Sequence, residues 1–394
     1  MKQRIIAGLL VFIFAVGYAA PLIAADGGKV IKFGVMSSIT GSGANVGAST
    51  QHGAELAARE INAGNGLVID GKTYTLELVN IDNKSNRSIA TTNALTLISR
   101  DQVLAIVGPE NSDRAIAVGG IANAYKTPMV VPWASTHEIA LNRPFVFRMS
   151  VIIDAQATAT TKFAAQKWKA TKAAVLYDGI SPYPNLMAKM FKPAFEKANG
   201  AGSVVAFEVF GTGDTDFSKQ LQVIINSGAD FLYTPQFYQE VPLIVHQARK
   251  MGWKKPITGS NSWSAGDMMG ICGDECKGLY FTGNFAAGGT TGKAKVFVEN
   301  YQKNYKMPPD EVAALTYDAV YLIADALKKT NGLTGNIMED RGRLRDQIAA
   351  TKQFEGVTGT VGYFGTGDPP KCAAIIKFDD NGGLITEEKI CPEN

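Results

Sequence analysis

Histidine is scarce in this 394-residue chain: there are three, His52, His137 and His246. No HExxH, GxSxG, CxxC or phosphate-loop pattern accompanies them, so the usual signatures of metallohydrolases, serine hydrolases and nucleotide hydrolases are missing. His137 stands two residues after Ser135. That leaves a Ser-His pair as the one hydrolytic arrangement to weigh, and it has neither a third member nor an oxyanion hole in the local sequence. The lone Gly41-Ser42-Gly43 lacks the acidic partner that a dinucleotide site carries further on.

Net charge is also small, +3, with Lys and Arg scattered along the chain. This gives no electrostatic case for a nucleic-acid partner or a membrane surface. Beyond the N-terminus no apolar run is long enough to span a bilayer. Only four cysteines occur, Cys272, Cys276, Cys372 and Cys391, all in the last third. An even number in an exported chain favours disulfides. Three pairings are open, and we favour Cys272–Cys276 with Cys372–Cys391 because each is local. No histidine accompanies these cysteines, so no metal site and no cofactor are expected.

What is present begins with an export signal. Met1-Lys2-Gln3-Arg4 is basic, residues 5–18 are apolar, and small residues follow through Ala25. This layout predicts a cleaved signal peptide over 1–25 and a periplasmic mature protein. From residue 29 strand-like and helix-like segments alternate. Strands are predicted at 29–38, 74–81, 103–107 and 128–131, with helices at 47–62, 88–100 and 112–124 between them. A second series follows: strands at 173–177, 203–210, 231–234 and 256–258, and helices at 186–199, 216–227 and 240–251. Gly200, Gly228 and Gly252 stand just past those helix ends, where a left-handed residue is favoured. Helices at 296–306, 311–329 and 344–351 and strands at 359–363 and 373–378 complete the chain.

Two βαβ series of similar size predict an α/β protein of two doubly wound parallel-sheet lobes joined by a multi-strand hinge. Ligands of such sheets bind beyond the carboxyl ends of the strands. The loops 108–112 and 132–136 occupy such positions, and the first opens a helix whose free N–H groups suit a carboxylate. Ser112 also suits a plain N-cap, and so does Asp216 for the helix after it.

The residues then resemble a family: the periplasmic solute-binding proteins of the leucine/isoleucine/valine-binding type, which serve ABC importers. The resemblance rests on IKFGVMSSITGSGANVGASTQHGAELAAREIN (31–62), IVGPENSDRAIAVG (106–119), GDTDF (213–217), LTYDAVYLIADAL (315–327) and FEGVTGT (354–360), in that order over nearly the whole mature chain. It implies a type I periplasmic binding fold, with lobe 1 from 29–148 and 284–358 and lobe 2 from 149–283 and 359–394. The resemblance also implies a small-molecule solute, an ABC permease as partner, no catalysis and a monomer. Ser112 and Ser135 then grip the ligand carboxylate, the backbone of Trp133 adds a polar contact, and Val46 faces the ligand's side chain. From the second lobe come Tyr183, in the loop 178–184, and Phe237 or Tyr238.

Asn261 departs from the pattern, because amino-acid binders of the family usually have Asp or Glu there. An amide cannot neutralise a desolvated ammonium. The departure points to an acid without an α-amino group, an aromatic acid or an amide, or else to another acidic residue or a cation–π contact with Trp133 and Tyr183 that holds the ammonium. A sensory co-receptor or a hydrolase on the same fold are the competing readings.

Overall fold

In the first sheet the central strand is β1 (Lys29–Ser37), which buries both faces over its second half. That is the mark of a parallel strand covered by helices on either side. The structure, a computed structural model, describes residues 29–392, and the expected signal peptide lies outside them. Around β1 stand β2 (Leu67–Ile69), β3 (Lys72–Asp82), β4 (Ala105–Val107), β5 (Met129–Val131) and β6 (Val146–Arg148). Their order is β2-β3-β1-β4-β5-β6. All neighbours run parallel except β2 and β3, a hairpin turned at Asp70-Gly71, both with positive φ.

The second sheet holds β7 (Ala173–Asp178), β8 (Val204–Phe210), β9 (Phe231–Tyr233), β10 (Ile257–Gly259) and β11 (Tyr280–Gly283). After the short hairpin β12 (Phe354–Gly356) and β13 (Gly359–Val361), the strands β14 (Ala373–Phe378) and β15 (Leu384–Ile390) finish it antiparallel, in the order β15-β14-β11-β10-β9-β7-β8.

Helices α1 (Ala44–Ala63), α2 (Arg87–Leu95) and α3 (Ser112–Ala124) link the first strands. Then come α4 (Ile153–Trp168), α5 (Pro182–Asn199), α6 (Ser218–Asn226), α7 (Val241–Lys250) and α8 (Met268–Cys272). Last are α9 (Gly292–Tyr305), α10 (Glu311–Lys328) and α11 (Ile337–Ala349). Helix α10 is buried almost all round and packs on α1, β4 and β5. Its Asp318 accepts from Val357 N–H, Thr358 N–H and the Thr358 hydroxyl at 2.6–2.9 Å, which docks the β12–β13 hairpin.

The chain crosses between the sheets after β6, after β11 and after β13, and the crossings are tied together. Asn284 Oδ1 accepts from Val151 N–H at 2.7 Å, Tyr363 donates to Arg148 O at 2.8 Å, and Lys371 Nζ donates to Met149 O at 3.2 Å. Such a bundle of crossings permits rotation of the lobes while holding them in register.

Two local expectations change. Helix α4 was passed over in the sequence, and Asp216 is not an N-cap. Phe217 holds the cap position of α6, while Asp216 Oδ1 accepts from Ser218 N–H at 2.9 Å.

Candidate ligand-binding cleft

Strand order reverses between β1 and β4 in one sheet and between β7 and β9 in the other. These reversals open crevices at the carboxyl ends of the strands, and the two crevices face each other. After β4 the chain turns at Gly108, where φ is +96° and a Cβ would lie 2.2 Å from Met36 O. Only glycine fits so close an approach in that conformation. The turn delivers Glu110 and Asn111 to the cleft and starts α3 at Ser112.

Asn111, extended, is the cap residue of α3 and makes no side-chain capping bond. Ser112 is therefore the first helical residue, not the cap. Its hydroxyl is buried and has no hydrogen-bond partner among the described residues, and the same holds for the fully buried hydroxyl of Ser135 after β5. Both line one cavity, beside the unpaired N–H groups of the first turn of α3.

Across the cleft stand Tyr183, Phe237 and Asn261. Tyr183 was expected in a loop but lies in the first turn of α5, because Pro182 and Pro184 cost no helical bond there. Its hydroxyl is 2.6 Å from both Ser260 Oγ and Asn261 Oδ1. Having one proton, it donates to the amide oxygen and accepts from the serine. Burial pushes the phenol well above its usual range, so it stays neutral. Tyr183 and Phe237 meet with ring centroids 5.7 Å apart. The space between these residues, mouth included, is about 210 Å³. Gln239 Nε2 donates across the cleft to Ser42 O at 3.2 Å, so the lobes are closed on each other.

Trp133 presents its ring to the cavity and turns its indole N–H away, to Glu311 Oε1 at 3.1 Å. Glu311 is fully buried at the start of α10, where Asn284 donates its side-chain N–H at 2.7 Å and its backbone N–H at 2.6 Å. Burial pushes this carboxyl up to about 7, against the pull of those donors and of the Asn261 side chain. Asn261 is thus a relay between Tyr183 and a buried acid.

The cavity thus gathers Ser112, Trp133, Ser135, Tyr183, Phe237 and Asn261. Val46 and Tyr238 are not among its lining residues. Val46 is buried in the core beneath α1, and Tyr238 packs on Gly266 and reaches Asn45. Val46 sits within the first turn of the helix, whereas the expectation placed it in the preceding loop. The histidines lie elsewhere: His52 stacks on Tyr305, His246 pairs with Glu275, and His137 pairs with Asp154. No imidazole meets Ser135, so the Ser-His pair does not form. Cys272 bonds Cys276 and Cys372 bonds Cys391.

Glu110, Asn111 and Ala134 line the cavity and escaped the sequence reading, as did Glu311 behind Trp133. Glu110 lay inside the quoted Gly-Pro-Glu-Asn-Ser loop, where its acidity was the available signal. Glu311 lies 178 residues from Trp133 and reads as an ordinary acid at a helix start.

Two facing α/β lobes, with a polar grip on one and an aromatic wall on the other, define a solute-binding protein of the hinged kind. Sequence and structure comparisons agree: a family model described as periplasmic binding protein matches residues 30–383, and the chain belongs to that family. It is 26% identical over 356 residues to the leucine-, isoleucine-, valine-, threonine- and alanine-binding protein of Pseudomonas aeruginosa, covering 89% of this chain and 90% of that one. Its fold is similar to the branched-chain amino acid transporter substrate-binding protein LivJ of Streptococcus pneumoniae in complex with isoleucine. There the TM-score is 0.82 and the identity 31%, over 92% of this chain and all of that one. The leucine-binding protein LivK of Thermotoga maritima gives the same TM-score at 28% identity, over 92% of this chain and 99% of that one.

Proposed function

We propose that this chain is the exported, periplasmic solute-binding component of an ABC importer and that it holds a small carboxylate-bearing solute in the cleft. The observation that carries the reading is the pair of buried, unpartnered hydroxyls of Ser112 and Ser135 on one cavity. An unsatisfied buried polar group costs about 1–3 kcal/mol. A carboxylate between them accepts from both, and the first turn of α3 adds N–H groups and a favourable dipole. Trp133, Tyr183 and Phe237 enclose the remainder of the solute.

The mechanism is binding by closure, with no covalent step. The open form exposes the grip of lobe 1 (29–148 and 284–358). Closure of lobe 2 (149–283 and 359–392 of the described chain) adds Tyr183, Phe237 and the Asn261 loop. Only contacts made in the closed state alone shift the hinge, since equal affinity for both states shifts nothing. The protein acts as a monomer that hands its cargo to the permease. The relatives' amino-acid ligands support a solute of that size.

A thermal-shift screen of amino acids, aromatic acids, short-chain acids and amides tests this. A ligand at about a hundred times its Kd stabilises by about 2.7 kcal/mol, a clear rise in Tm. The reading expects such a rise with a carboxylate and unchanged ligand recovered afterwards. Turnover of the ligand restores the hydrolase reading, and binding confined to neutral amides removes the carboxylate grip.

A further inference from the structure

Glu110 has no exposed surface, lines the cavity, and is unevenly used. Its Oε1 accepts from the backbone N–H of Ser38 at 3.3 Å and from the Ser38 hydroxyl, and the Arg114 guanidinium stands 3.6 Å from that same oxygen. Its Oε2 is buried without any hydrogen-bond partner among the described residues. Arg114 does not cancel the charge, because its other terminal nitrogen is 3.3 Å from Asp113 and 3.2 Å from Ser85 O. The one guanidinium is shared between two carboxylates, and its Nε is buried without a partner among the described residues. Beside it Asn111 Oδ1, an acceptor only, is also buried and unpartnered.

The two orphan atoms of Glu110 and Asn111 are both acceptors, and they stand within two residues of the Ser112 hydroxyl. A ligand carrying only a carboxylate satisfies the hydroxyls and leaves these acceptors unmet. A ligand with a cationic donor beside its carboxylate meets both sets. We propose that Glu110 is the specificity-determining residue of the cleft, its Oε2 accepting a hydrogen bond from a protonated amino group that the solute carries next to its carboxylate. This rests on the carboxylate grip proposed above and deepens it. Polar recognition of the zwitterion is then complete within the first lobe. The second lobe, with Asn261 where an acid is expected, supplies only the enclosure for the side chain.

The test is calorimetry on the mature protein with L-leucine, L-phenylalanine, their deamino analogues 4-methylpentanoate and 3-phenylpropanoate, and the amides leucinamide and phenylalaninamide. The wild type is expected to bind the tighter of the two amino acids at least about tenfold more strongly than its deamino analogue, as a charge-assisted hydrogen bond requires. In Glu110→Gln that preference is expected to fall to about threefold or less, through weaker binding of the amino acid. A wild type that prefers the deamino acid, or binds neither amino acid, overturns the proposal before any variant is made. A preference unchanged in Glu110→Gln overturns it as well. The amides separate the two readings: tight binding of an amide removes the carboxylate grip while leaving the amine preference, and hence Glu110, to be read from the other pairs.

Discussion

The indole N–H of Trp133 donates to Oε1 of Glu311 at 3.1 Å, and both side chains are buried. This bond joins the cavity wall to the hinge. Glu311 also receives both N–H groups of Asn284 that face it, and Asn284 in turn accepts from Val151 N–H on another crossing. A change in the ring's position is therefore felt directly at two of the segments about which the lobes turn.

Glu311 makes stability depend on pH. Burial pushes its carboxyl up to about 7 from an ordinary 4.5, so between those values the folded state binds the proton that the unfolded state releases. Its contribution is full below pH 4.5 and is lost as pH rises through about 7, on the order of 3 kcal/mol in all. The facing Lys371, pushed down to about 8 by its own burial, is held up in part by Glu311; in Glu311→Gln it falls further, which adds to the variant's relative gain as pH rises. Thermal unfolding at several values between pH 5 and 8 is expected to show wild type losing stability relative to Glu311→Gln as pH rises. Parallel curves contradict this assignment.

Asn261 gives the second prediction. Its side-chain oxygen accepts from Tyr183, and its side chain bears on Glu311. Asn261→Asp places a second buried carboxylate beside the first, and like charges at such a site raise the cost of ionising either. The variant is expected to lose about 2 kcal/mol of stability and to gain no affinity for amino acids. An unchanged Tm with tighter amino-acid binding would instead put the ammonium at position 261.

Much of this architecture was legible in the sequence, for identifiable reasons. Parallel strands such as β4 and β5 are buried on both faces and read as short apolar runs. Gly200 follows α5 directly, and Gly228 and Gly252 come two residues past α6 and α7, where they mark the helix ends. Helix α4 was not legible. Its buried positions include Thr160 and Thr161, which break the apolar stripe in sequence but return their hydroxyls to Gln156 O and Ala157 O. In the cleft, residues next to strand ends were accessible to pattern reading. Glu311 was not, because only the folding of α10 onto β4 and β5 brings it to Trp133. Val46 failed for a third reason: α1 begins at Ala44, earlier than the apolar spacing indicated, and turns that side chain into the core.

We propose that the hydroxyls of Ser112 and Ser135 grip the solute's carboxylate. Calorimetric titration of Ser112→Ala together with Ser135→Ala, using the solute that most stabilises the wild type, tests it most directly. Both serines are buried at the cavity and neither hydroxyl holds another part of the protein, so the double variant is expected to keep its fold. It is expected to bind at least about tenfold more weakly, a loss of about 1.4 kcal/mol or more. An affinity equal to that of the wild type would contradict the account.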